Sequence, residues 1–106
     1  MRVLAFSHDL DLALELVSAG KGLGEVSLLI TSDQEDRARS LKGPSELLIC
    51  RGIESWDQEG LVELISRLAG EYDAILLSSD RRGRELVGQV AHRIGGSAAA
   101  DVSSLS

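Results

Sequence analysis

Two short segments hold the residue types that could do chemistry: Ser7-His8-Asp9 near the amino end, and Ser78-Ser79-Asp80-Arg81-Arg82-Gly83-Arg84 further on. In the first, a hydroxyl, an imidazole and a carboxylate are the ingredients of acid–base or nucleophilic catalysis. Consecutive residues seldom converge on one reacting atom, so the simpler expectation is that Asp9 or Ser7 caps a helix and that no residue here is catalytic. In the second segment, Arg81, Arg82 and Arg84 crowd the expected first turn of a helix, where each positive side chain opposes the helix dipole by about 0.3–1 kcal/mol. Two arrangements would offset that. Free N–H groups and guanidinium forks suit an anion, such as a nucleotide phosphate or a partner's carboxylate. Alternatively, Asp80 caps the helix, Glu85 pairs with one arginine and the other arginines are solvated.

Phosphate fingerprints fail when tested against the chain. Gly20, Gly22 and Gly24 follow a helical pattern instead of a strand and do not space as a dinucleotide motif. Gly83 and Gly88 have the spacing of a phosphate loop, but Gln89-Val90 stands where Lys and Ser or Thr are needed. A hydrolase or ligase of adenylated substrates therefore lacks its phosphate loop here. One cysteine and two separated histidines give no zinc-ligand spacing, so no metal site is expected. Cys50 closes the apolar run SELLIC and reads as a small buried hydrophobe, and His92 lies near a helix end where the dipole favours it. Trp56 follows Ser55 at a helix start and is expected to cover an edge of the core; an exposed indole there would instead indicate an interface.

The elements that must position these residues alternate. Strands are expected over Arg2–Phe6, Glu25–Ile30, Glu46–Cys50, Asp73–Leu77 and Ser97–Ala100, with a helical pattern in each interval. Leu10, Ala13, Leu14 and Val17 face the core in the first helix, which stops at the glycines from Gly20 onward. Ser32 and Glu35 have capping-box spacing before a short helix carrying Ala38 and Leu41 and ending at Gly43-Pro44. Ser55 and Gln58 repeat that spacing before Leu61, Leu64, Ile65 and Leu68. Leu86, Val87, Val90, Ala91 and Ile94 make the fourth apolar stripe, which Gly95-Gly96 ends. The result is a three-layer α/β fold: an open, mostly parallel sheet of about five strands in the order 3-2-1-4-5, with helices on both faces. Ligands on such a sheet gather at the carboxyl ends of the strands where the order reverses, between the first and fourth strands. Both chemistry-bearing segments fall there. The tail ADVSSLS is patterned as a loosely structured connector.

The chain has 106 residues, room for one domain, and 43% hydrophobic with 26% charged residues, ordinary for a soluble protein. No apolar run approaches the roughly 20 residues of a membrane helix, so no membrane insertion is expected. Eleven Lys and Arg against seventeen Asp and Glu leave a net charge of −6, which repels a phosphate backbone and argues against nucleic acid as a partner. The lone cysteine and the start MRVLAFSHD, without a signal segment, point to a cytoplasmic protein.

With these elements in place, the chain resembles the N-terminal domain of the electron transfer flavoprotein alpha subunit. MRVLAFSHD resembles that family's first strand and turn, and GEVSLLITS its second strand. The more specific likeness is YDAILLSSDRRGRELVGQVAHRIGGSAAADVSSL, with Gly83-Arg84-Glu85-Leu86 at the family's Gly-Arg-Asp-Leu and Asp101-Val102 at its final Asp-Val. Gly88-Gln89 departs from the usual Pro-Arg, and Ala100 from the Ser before the Asp. The resemblance implies an adenine nucleotide alpha hydrolase-like fold and a supporting role in electron transfer, without catalysis by this chain. It implies that residues 1–106 are a single domain, that FAD belongs to a C-terminal domain absent from this chain, and that the partner is a beta-like flavoprotein subunit or a second copy. An alternative stays open: a small AMP- or ADP-binding module of the universal stress protein or flavoprotein beta-subunit type, using Ser7, His8, Asp9, Ser78, Ser79, Arg81, Arg82, Gly83 and Arg84. The former's glycine motif before a terminal Gly-Ser is not met here, although Gly96-Ser97 echoes its end.

Overall fold

The structure, a computed structural model, describes residues 1–95 and 101–105. Apolar runs become strands: β1 (Arg2–Phe6), β2 (Glu25–Thr31), β3 (Glu46–Cys50), β4 (Ala74–Ser78) and β5 (Asp101–Leu105). They pair in parallel in the order β3-β2-β1-β4-β5, with Ala5 opposite Leu28 on one side and Leu76 on the other. The central strands β1, β2 and β4 are buried on both faces, which accounts for their nearly unbroken apolar sequence.

Side chains alternate between two cores. On one face Val3, Ala5, Val26, Leu28 and Ile30 pack against α1 (Leu10–Lys21) and Ala38 of the short α2 (Glu35–Ala38). On the other, Leu4, Phe6, Leu29, Ile75 and Leu77 pack against α3 (Gln58–Leu68) and α4 (Arg81–Ile94). Two glycines set the distance between layers. A Cβ on Gly20 would stand 2.8 Å from Val26 Cγ2, and one on Gly83 would stand 1.9 Å from the carbonyl oxygen of Ser78. The latter lets α4 begin directly against the end of β4.

Several local expectations are corrected. Leu14 is 37% exposed, and Leu16 takes the inward place between Ala13 and Val17. The second helix starts one residue earlier than its capping pattern implied: the Thr31 N–H donates to Gln34 Oε1 (3.3 Å), a 3₁₀ turn spans Ser32–Gln34, and α2 ends before Leu41. Asp57, not Ser55, caps α3, accepting from the Gly60 N–H at 3.0 Å. Ala91 faces solvent, whereas Leu86 and Val90 are fully buried. Gly95 ends α4 at φ 54°, as a left-handed cap requires.

The strand expected at Ser97–Ala100 lies outside the described residues. The described fifth strand is Asp101–Leu105, so most of the tail is paired instead of a connector, with Ala74 opposite Asp101 and Ser78 opposite Leu105. The free edge of β4 offers backbone donors and acceptors that ladder pairing satisfies whatever the side chains are, which lets a Ser-rich segment form a strand. Among the described residues no helix is long and apolar enough to cross a membrane.

Candidate functional site at the sheet switch point

β1 and β4 end side by side, and the chain leaves them toward opposite faces, into α1 and α4. This brings Ser7-His8-Asp9 and Ser78–Arg84 together as the order 3-2-1-4-5 requires. A continuous rail of hydrogen bonds joins the two helix starts. The Asp9 N–H donates to Ser7 Oγ (3.1 Å), Ser7 Oγ donates to Ser78 Oγ (3.0 Å), and Ser78 Oγ donates to Asp80 Oδ1 (2.7 Å). The same Asp80 oxygen accepts the Gly83 N–H at 3.1 Å, and Asp9 Oδ1 accepts the Asp11 N–H at 2.8 Å. Each helix start is thus closed by a carboxylate of this chain, in the position an external anion would take.

His8 is turned away from Ser7. Its Nε2 meets Gln58 Oε1 at 3.2 Å, while Gln58 Nε2 donates to the Arg82 carbonyl (3.4 Å) and to Gln89 Oε1 (3.2 Å). Since the Gln58 amide spends its N–H groups elsewhere, its oxygen accepts, and the His8 proton is assigned to Nε2. Nδ1 is buried without a partner among the described residues, and the ring stands edge-on to Phe6 at 5.1 Å. Burial, and then the Arg82 guanidinium, hold the His8 pKa below its usual 6.5. The Ser-His-Asp trio therefore does not form a nucleophile–base pair. Gln34 supports the same loop from the 3₁₀ turn after β2, donating to the carbonyls of Ser7 (2.9 Å) and His8 (3.3 Å).

The three arginines divide. Arg81 pairs with Glu85 at 3.4 Å, Arg82 reaches across to the Ser55 carbonyl at 3.1 Å, and Arg84 is exposed with no ion pair among the described residues. Ser79 is half-buried in the turn between β4 and α4. An open cleft of about 470 Å³ remains over the switch point, edged by Asp9, Asp11 and Asp80, by Arg37 and Arg82, and by His8. Three carboxylates outnumber two guanidiniums, a poor cradle for the pyrophosphate of a flavin or dinucleotide, and the residues present do not fit FAD.

Sequence reasoning missed Gln34, Gln58 and Arg37, because a glutamine that orders a loop from another strand or helix leaves no local pattern. It also missed the clamp behind them. The Ser55 N–H and hydroxyl donate to the two Asp33 oxygens at 2.7 and 2.6 Å, and Glu35 binds both Arg39 and Arg51 (3.0 Å to the latter). Hydrogen bonds from Arg51 and then Arg39 pull the Glu35 pKa down from 4.5 to about 2. Cys50 is half-buried, and burial pushes its thiol pKa up, away from a reactive thiolate. No cluster able to hold a metal occurs among the described residues.

Sheet order, layered helices and a switch-point cleft define a doubly wound α/β domain. A family model described as "Electron transfer flavoprotein domain" matches residues 9–106, nearly the whole chain. The chain belongs to the electron transfer flavoprotein domain family, in agreement with the segment around Gly83-Arg84-Glu85-Leu86. No curated protein matches the chain.

Proposed function

We propose that this chain is an alpha-type structural and interaction domain of an electron transfer flavoprotein, a non-catalytic base on which a flavin-carrying assembly is built. Its partner is a beta-type subunit or a second copy of itself. The observation that carries this reading is the Asp80 carboxylate. By accepting from both the Ser78 hydroxyl and the Gly83 N–H, it fills the place where a nucleotide-binding relative of this fold would hold a phosphate. What remains at the switch point is a self-satisfied polar rail that locks α1 to α4, suited to a rigid scaffold.

The test is to purify the chain, record its absorption spectrum, and chromatograph it with an electron transfer flavoprotein beta-type subunit. The reading expects no flavin band from the chain alone and co-elution with the subunit or with itself. A flavin band retained by the chain alone would remove it.

A second reading, a small AMP- or ADP-binding module, has one observation in its favour: Arg37 and Arg82 both line the cleft of about 470 Å³. Asp9, Asp11 and Asp80 on the same cleft oppose a phosphate there.

A further inference from the structure

The loop between β1 and α1 is held by groups other than the His8 ring. Ser7 is tied to Ser78, and Gln34, itself buried, donates to the carbonyls of Ser7 (2.9 Å) and His8 (3.3 Å). The backbone at His8 is therefore pinned, and the imidazole depends on contacts of its own. These are the Gln58 oxygen, 3.2 Å from Nε2, and the Phe6 ring, edge-on at 5.1 Å. Because Gln58 also bonds the Arg82 carbonyl and Gln89, the imidazole ties the end of β1 to the junction of α3 and α4.

This arrangement suits a neutral ring. The Gln58 oxygen accepts from Nε2 in either protonation state and does not choose between them. Nδ1 does choose: it is enclosed with no acceptor among the described residues, so a proton there would be a buried, charged donor without a partner. Charged groups face the ring from several elements. Arg82 of α4 repels an imidazolium, Asp80 before α4 and Asp33 in the 3₁₀ turn attract it, and α3 presents the neutral Gln58 amide. Asp9 and Asp11 at the start of α1 and Arg37 of α2 stand with Asp80 and Arg82 around the open cleft that His8 itself lines. Three carboxylates and two guanidiniums edge that cleft, so an imidazolium turned into it meets water and a surplus of negative charge.

We propose that His8 is a proton-driven pin with two positions: neutral, it sits inward on Gln58 and Phe6; protonated, it turns out into the cleft and uncouples β1 from the α3–α4 junction. The backbone stays in place in both. Burial and Arg82 outweigh Gln58, Asp80 and Asp33, which puts the change below pH 6.5. The pin is a property of the chain itself and holds whatever subunit the chain pairs with.

Nuclear magnetic resonance of the full chain from about pH 8 to about pH 5 tests this, with His92→Gln leaving His8 as the sole imidazole. Phe6 is the sole phenylalanine, so cross-relaxation between the two rings reports the inward position. Expected at the upper end are an Nε2–H tautomer and a His8–Phe6 cross-peak. On acidification the cross-peak should vanish and the Gln58 side-chain amide should shift, both with the His8 midpoint below 6.5, while the amides of β2 and β4 keep their folded positions. Arg82→Gln should raise that midpoint, and Asp11→Asn should lower it. The proposal is overturned by an Nδ1–H tautomer, by a His8–Phe6 cross-peak that survives protonation, or by a midpoint that neither substitution moves. Loss of the whole folded spectrum at the His8 midpoint also overturns it, since the ring would then be a structural element and not a pin.

Discussion

Gly83→Ala is the most decisive single change to the scaffold. The added methyl carbon would lie 1.9 Å from the Ser78 carbonyl oxygen, 2.7 Å from its carbon and 2.8 Å from Asp80 Oδ1. Two of these are backbone atoms at the end of the central strand β4, so no rotamer change relieves the contact, and α4 must lift. Lifting α4 stretches the Asp80 cap, whose loss costs about 1 kcal/mol, on top of about 1–3 kcal/mol for overpacking. Together these give a destabilisation of about 2–4 kcal/mol. At roughly 4–8 °C per kcal/mol for a domain near this size, the melting temperature should fall by about 8–32 °C. The same substitution five residues on supplies the control. A Cβ on Gly88 meets nothing within 4 Å, so Gly88→Ala should stabilise by about 0.4–1 kcal/mol through helix propensity and a less flexible unfolded chain. Thermal and urea unfolding followed by far-ultraviolet circular dichroism reads both. Equal shifts for the two variants, or a Gly83→Ala protein as stable as the parent, would refute the close approach of α4 to β4.

Asp80→Ala removes the cap and strands the Ser78 hydroxyl, and denaturant unfolding should show a loss of about 1–2 kcal/mol, with Asp80→Asn recovering most of it. Because folding holds the His8 pKa below 6.5, the unfolded chain binds the extra proton first, and stability should fall as pH drops below that value. Melting curves from about pH 7 to about pH 5 should show that slope, and His8→Gln should flatten it. Glu35 acts with the same sign in a lower pH window. Its ionised form is favoured by folding, so its contribution is present above 4.5 and lost as pH falls toward about 2. Acid titration of Glu35→Gln should lack that part of the transition.

Much of this was legible before the fold was seen, for physical reasons. The buried strands β1, β2 and β4 are apolar on both faces and bounded by glycines or polar turns, so Arg2–Phe6 could be read to the residue. The switch point followed from strand order, which in turn placed Ser7 and Ser78 together. Asp80 as a cap was readable because capping is local. What was not readable is whatever depends on distant atoms. Nothing in the local pattern of Ser55 says that Asp33 and Arg82 will hold it and leave the capping of α3 to Asp57. Nor does spacing alone show which of Leu14 and Leu16, on nearly opposite faces of α1, turns inward, since Leu10, Ala13, Leu14 and Val17 and equally Ala13, Leu16, Val17 and Gly20 fit a helical stripe. Trp56, expected from its place after Ser55 at a helix start to cover an edge of the core, is instead 67% exposed, on a turn whose Ser55 is held by Asp33 and Arg82.

The central claim is that the switch point is closed by the chain's own carboxylates and serves as scaffold. Isothermal calorimetry of the purified chain with AMP, ADP and ATP at millimolar concentration tests it most directly. The account predicts no saturable heat with any of the three. Saturable binding that disappears in Arg82→Ala would contradict it and establish the cleft as a nucleotide site.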